Sequence, residues 1–295
     1  MTLLPRHKTL VWLVALSLLL GACSRVGLVY RNLDWLLPWR LNDYLQLDRA
    51  QRAWLQPRLR AHLAWHCSSE LLRYLDWLQR TGVVLAQPRP DARQLAAQLA
   101  QIDGALKRIA VQITPTSIEL LRRLSDRQVA ELYAAIDEDN RELYEDYLEP
   151  PLAMQIAERG ERMEERLRPW LGRLNESQRA RIARWANDMG GQNRLWLDNR
   201  MRWQEALRDA IAVRRSADFP ERITRLLQQR QSYFDAEFRA AYPRNRMALA
   251  ELFGDLLASA DARQRSRLQH RLRDLQRDLA EQLCAPPWSP GEPAP

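Results

Sequence analysis

His62, His66 and Glu70 follow one another at four-residue intervals, so one face of a helix carries all three, with Cys67 alongside. Two imidazoles at i and i+4 can ligate zinc, and a carboxylate one turn on can complete a ligand set. Leu63 stands where a zinc protease places its glutamate base, and the next histidine is His270. A histidine beside Trp65 on a core-facing stripe is more often packed and hydrogen-bonded than a ligand. His62, His66 and Glu70 are therefore the candidate metal set, and the reading favours no metal there.

Residues 137–149, DEDNRELYEDYLE, crowd carboxylates onto one segment. Carboxylates about 5–10 Å apart in a cleft hydrolyse glycosides. Here they are interleaved with Tyr144 and Tyr147, after Tyr133, in the pattern of a solvated helix face or of a partner for Arg-rich helices. The chain has no GxSxG, P-loop or CxxC, and no defensible Ser–His–Asp set. The expectation is a protein with no catalytic residues and no cofactor.

These residues must be positioned by helices. Gly is scarce at 10 of 295, and Ala, Leu, Arg, Gln and Glu dominate, which are residues with small side-chain penalties in a helix. The fold class is all-α, an elongated multi-helix bundle. Apolar periodicity places helices from residue 48 through Leu78, from Asp91 through Ile109, and over residues 126–148, 154–171, 175–213, 219–242, 247–258 and 263–283. Expected interruptions are the loop at residues 88–90, Thr114-Pro115, Gly190-Gly191 and Pro243. LDRAQ at Leu47, LSDRQ at Leu124, LNESQ at Leu174 and ADARQ at Ala260 repeat one device. A short polar side chain accepts from the third helical N–H, and Gln reaches back to the cap. Trp54, Trp65, Trp77, Trp185, Trp196 and Trp203 fall on helices, and periodicity leaves open whether they fill a core or line a groove.

The N-terminus carries a different signal. Arg6, His7 and Lys8 precede an uncharged apolar run over residues 9–20, too short to span a bilayer and suited to a signal peptide. Leu20-Gly21-Ala22-Cys23 resembles the lipobox of bacterial lipoproteins, which implies cleavage before Cys23 and lipid on its thiol. Ser24, rather than Asp, implies sorting to the outer membrane, facing the periplasm. The organisation expected is a signal peptide over residues 1–22, a lipid anchor and juxtamembrane segment over 23–46, a helical domain over 47–284 and a disordered Pro-rich tail over 285–295. In the second of these, Tyr30, Trp35 and Trp39 alternate with Arg25, Arg31 and Arg40, a composition that suits a bilayer interface or, through Leu33, Leu36 and Leu37, a core. Cys67 and Cys284 can pair only if their Cα atoms lie within about 7 Å, which the sequence leaves open.

Without Arg6 and Lys8, 43 basic residues face 37 acidic ones, with residues 126–165 as the acidic exception. Nearly every cation is Arg. A basic surface suits phosphates or acidic proteins, and in an exported protein nucleic acid is not the expected partner. LSDRQ and LNESQ resemble the Leu-Thr-x-x-Gln motif of small helical periplasmic stress chaperones. GLVYRNLDWLLPWRLNDYLQLDRAQRAWLQPRLRAHLAWH, residues 27–66, resembles the N-terminal signature of a family of uncharacterised proteobacterial lipoproteins. That similarity extends over most of the chain, including ARQRSRLQHRLRDLQRDLAEQ, and implies a helical envelope lipoprotein with no assigned activity. The expected role is non-enzymatic, chaperone-like or adaptor binding of another envelope protein. The alternatives are a hydrolytic or metal-handling envelope enzyme, or a structural, lipopolysaccharide-contacting lipoprotein.

Replacing Cys23→Ser is expected to remove the lipid mass and shift the protein from the detergent to the aqueous phase on detergent partitioning. Partitioning that survives the substitution contradicts the lipobox.

Overall fold

The computed structural model describes Tyr30 and residues 32–284; the leader, Cys23 and the tail lie outside the described residues. Every element within them is helical: α1 (Leu33–Leu45), α2 (Arg49–Trp65), a π-turn (His66–Glu70), α3 (Leu71–Leu85), α4 (Ala92–Arg122), α5 (Asp126–Tyr147), α6 (Leu152–Leu171), α7 (Glu176–Asp188), α8 (Gln192–Ala212), α9 (Phe219–Gln228), a 3-10 turn (Arg230–Tyr233), α10 (Ala236–Ala258) and α11 (Ala262–Ala280).

All four expected helix starts are capping boxes. Asp48, Ser125, Asn175 and Asp261 each accept from the N–H three residues on, and Gln51, Gln128, Gln178 and Gln264 each accept in return from the cap N–H. The glutamines do more than the local pattern implies, because they meet in twos. Gln51 and Gln128 exchange hydrogen bonds of 3.0 and 2.7 Å. Gln51 Nε2 also donates to Arg123 O, and Gln128 Nε2 to Leu45 O and Gln46 O. Gln178 and Gln264 repeat the arrangement at 3.0 Å in both directions, with Nε2 donating to Leu256 O and Arg173 O respectively. One node joins the starts of α2 and α5, the other those of α7 and α11.

Each node sits in a core of its own. Leu45, Leu47, Leu55, Leu124, Leu132 and Ile211 form one, and Leu78, Leu174, Ile182, Leu252, Leu256 and Leu268 the other. Phe219, Ile223 and Leu226 fix α9 on α8, and Val84, Leu95 and Ala250 bring α3, α4 and α10 together. Leu41, Tyr44 and Leu45 of α1 join the first core, while Trp39 stays exposed with the Arg40 guanidinium over its ring. Gly190-Gly191 does separate two helices, Gly190 taking φ +46°.

Two expected breaks are absent. Pro115 lies inside α4 and Pro243 inside α10. A proline removes one helical donor, and packing along both helices outweighs that loss. Thr114 also donates to Ala110 O one turn back, and the Gln228 amide donates to its hydroxyl. The break expected at Pro243 falls instead at the 3-10 turn, where Asp235 caps α10.

Gln178 is 0 % exposed, so Gln178→Ala removes the acceptor of the Asn175 cap N–H, the donor to Leu256 O and both bonds exchanged with Gln264, and is expected to destabilise by about 2–4 kcal/mol in urea unfolding. Because the two amides form one unit, Gln178→Ala with Gln264→Ala should lose less than the sum of the single losses. Strict additivity would show that the node is not cooperative.

Candidate functional site

The helix from Arg49 to Leu85 is interrupted by one wide turn, HCSSE. π-turns insert a residue, leave carbonyls poorly served and recur at functional sites. Here Ser68 Oγ donates to Ala64 O at 2.8 Å and Ser69 Oγ to Trp65 O at 2.7 Å, which takes up that deficit. The turn also lets α2 pack into one core through Leu55 and α3 into the other through Leu78.

The candidate metal residues are on this stretch, and each has another partner. His66 lies between two phenols, with Tyr30 Oη 2.9 Å from Nδ1 and Tyr74 Oη 3.3 Å from Nε2. Burial pushes the Tyr30 phenol up to about 12, so it stays protonated at neutral pH. Glu70 is 1 % exposed and is held by the Arg108 guanidinium through bonds of 2.8 and 2.9 Å, with Arg73 at 3.4 Å. His62 Nε2 lies 2.8 Å from Thr116 Oγ1, and its buried Nδ1 has no protein partner. Among the described residues no group of three His, Cys, Asp or Glu side chains is arranged to hold a metal ion. Tyr30, Tyr74 and Arg108 were not legible as members of this cluster. The available hint was that Glu70 is the one acid between Asp48 and Asp76, and an isolated carboxylate in an apolar stretch calls for a cation on a facing helix.

Cys67, one residue from His66, forms a disulfide with Cys284, with Cα atoms 5.2 Å apart. It fastens the end of α11 to the π-turn. Beyond the turn, α3 and α4 enclose an open groove of about 440 Å³ lined by Tyr74, Trp77, Ile102 and Leu106, with Arg73 and Arg80 on the rim.

The acidic segment lies against Arg-rich α8. Asp137 meets Arg208, Asp139 meets Arg200 and the Tyr44 hydroxyl, and Asp126 meets Arg214 and Arg215. At the far end of α5 the turn into α6 is fixed by a chain of polar contacts. Gln155 donates to Leu148 O and Pro150 O, Asn193 donates to Tyr147 O and to Gln155 Oε1, and Arg159 donates to Asn193 Oδ1 and Ala186 O. Around it Tyr144, Leu152, Met154 and Trp196 are exposed, and Trp196 packs edge-on against Tyr147 with ring centres 6.0 Å apart. Five other tryptophans pack against cores. Trp77, Trp170 and Trp185 pack against one core, Trp54 against another and Trp203 against a third.

Residues 43–239 match the model of a family of unknown function, DUF6279, and the chain belongs to that family. No curated protein and no solved structure matches it.

Desolvation holds His62 below its ordinary pKa, and also His66, where the Glu70 charge acts in the opposite direction. An unfolded imidazole titrates near 6.5, at about which pH the unfolded chain begins to bind protons that the folded one refuses. The contribution is thus full above about pH 6.5 and is lost as pH falls through the lowered folded values. The urea midpoint is expected to fall between about pH 7 and pH 5, and to fall less in His62→Gln and His66→Gln. Identical slopes in the variants and the parent would contradict it.

Proposed function

We propose that the chain is an exported lipoprotein of the cell envelope, tethered through lipid on Cys23 and acting by binding. Two features support the tether and the compartment. The apolar leader ends in Leu20-Gly21-Ala22-Cys23, which resembles a lipobox, and Cys67 and Cys284 form the kind of bond that persists in oxidising compartments. Ser24 favours the outer membrane as the site of anchoring.

The binding role is carried by one observation, the exposure of Tyr144, Leu152, Met154 and Trp196 about the turn from α5 to α6, a stretch that also exposes Glu142, Asp146 and Glu149. Apolar residues ringed by charge mark protein-contact surfaces. Backbone already fixed by Gln155, Asn193 and Arg159 loses little entropy on docking. The patch suits a polypeptide that combines apolar anchors with basic residues. Trp54, Trp77, Trp170, Trp185 and Trp203 are taken up by the cores, so no run of exposed tryptophans lines a groove among the described residues. That favours a dedicated adaptor or folding helper for one envelope protein over a general holder of unfolded chains.

The test is a photo-reactive amino acid at Met154 in the lipidated protein in its own cells, followed by mass spectrometry. One dominant protein adduct, lost on Trp196→Asp, is the expected result. A broad spread of unfolded envelope proteins would replace the adaptor reading with a general chaperone, and no protein adduct at either Met154 or Tyr144 would remove the patch from consideration.

A further inference from the structure

Ile102 and Leu106, one turn apart in the middle of α4, are 44 % and 51 % exposed. Across the groove the outer edge of α3 exposes two more large apolar residues, Leu72 and Val83, which eleven residues of helix bring to the same side. Between these apolar positions stand Arg73 and Arg80, 62 % and 49 % exposed. Leu106 also lines a second cleft, of about 410 Å³, on the opposite flank of α4, where Lys107 and Arg230 add positive charge beside Asp103. Asp76 pairs with Arg80, and the carboxylate of Glu70 is buried beneath Arg108. The face is apolar in its centre and net cationic at its edges. Helices that lie in a bilayer interface have this composition, with Arg and Lys stems along the apolar surface and charged heads among phosphates.

The chain's own N-terminus leads to this face. Tyr30 Oη is bonded to His66, and His66 to Tyr74, which lines the groove. Six residues lie between Cys23 and Tyr30, and the seven steps from one to the other have a contour of at most about 25 Å. A lipid on Cys23 therefore holds the bilayer surface within that distance of Tyr30, one histidine side chain from the groove.

We infer that the face formed by α3 and α4, with Ile102 and Leu106 at its centre, rests on the bilayer that carries the lipid anchor, its arginines and Lys107 meeting anionic phospholipid headgroups. The inference rests on the lipoprotein reading for its geometry, while the affinity of the face for anionic lipid does not need the anchor.

Two measurements separate these. In the first, a photo-reactive amino acid replaces Ile102 in the full lipidated protein in its native membrane, and Val111, exposed half a turn away round α4, serves as control. Phospholipid adducts at residue 102 and not at 111 are expected. Equal labelling, or only protein adducts at 102, would overturn the orientation. In the second, the Cys23→Ser chain is sedimented with vesicles of phosphatidylglycerol and phosphatidylethanolamine, or of phosphatidylcholine alone. Salt-sensitive binding to the anionic vesicles is expected, weakened at least about tenfold by Arg73→Gln, Arg80→Gln and Lys107→Gln together, with an unchanged melting temperature showing that the variant is folded. No binding, or binding indifferent to these substitutions, would overturn the surface itself. A parent protein whose mass shows no lipid would defeat the anchor, and the vesicle result would still stand or fall alone.

Discussion

A primary amide is the neutral side chain that can accept from one backbone N–H, donate to a distant carbonyl and still exchange a hydrogen bond with a twin. Gln51 with Gln128, and Gln178 with Gln264, do all three at once. Each is buried, where an unmet polar atom costs about 1–3 kcal/mol, so the geometry that satisfies all of them is strongly selected. Each node fixes where two helices start, the direction in which the preceding segments enter, and their distance. Apolar packing then follows around it. Glutamate in place of either amide would bring two acceptors face to face, and leucine would leave the cap N–H and the foreign carbonyl unmet. The fold depends on the amide in particular, not merely on a polar residue at that position.

The arginine excess is partly explained at the same places. In three of the four boxes the residue after Gln is Arg, and its guanidinium turns back to the carbonyl preceding the cap: Arg52 to Leu47 O, Arg179 to Leu174 O, Arg265 to Ala260 O. Val129 occupies that position in the remaining box, and buried Arg214 from beyond α8 serves Leu124 O instead. Arg239 does the same for Phe234 O at the start of α10, where Phe238 replaces Gln and no box forms. Arg265 extends further, to Gln87 O and Pro88 O, and so ties the loop between α3 and α4 to the second node. A planar guanidinium has enough donors to serve several carbonyls, which a lysine ammonium on a flexible stem does less well. Many of these cations therefore belong to the architecture. The cations that remain for a partner are those with no such duty, among them Lys107 and Arg230 beside the α4 ridge.

What the sequence made legible follows the range of the physics. Helix starts are local, so Asp48, Ser125, Asn175 and Asp261 could be read directly, and the glycine pair at 190–191 ended a helix as local sterics require. Pro115 and Pro243 misled because their one lost hydrogen bond is a local penalty, while the packing that overrides it comes from helices far away in the chain. The twinning of glutamines was hidden for the same reason: Gln51 and Gln128 are 77 residues apart and Gln178 and Gln264 are 86 apart. His62, His66 and Glu70 were correctly placed on one helical stretch, yet their partners Thr116, Tyr30, Tyr74 and Arg108 come from elsewhere, and those partners decide what the three residues do. Cys67 and Cys284 could be matched only as a possibility, because distance in space was the deciding quantity.

The π-turn is where these constraints meet. Within five residues it directs His66 to Tyr30, Cys67 to Cys284 and Glu70 to Arg108, so the helix is held on three sides, by a residue ahead of α1, by the segment after α11 and by α4. The disulfide closes a loop spanning 217 residues, and in the chain-entropy account a closure of that size removes about 5 kcal/mol of freedom from the unfolded chain. A regular α-helix at residues 66–70 would retain these residue types but turn at least one of them away from its partner. The wide turn is thus a structural requirement of joining the disulfide clasp and two cores through one helix.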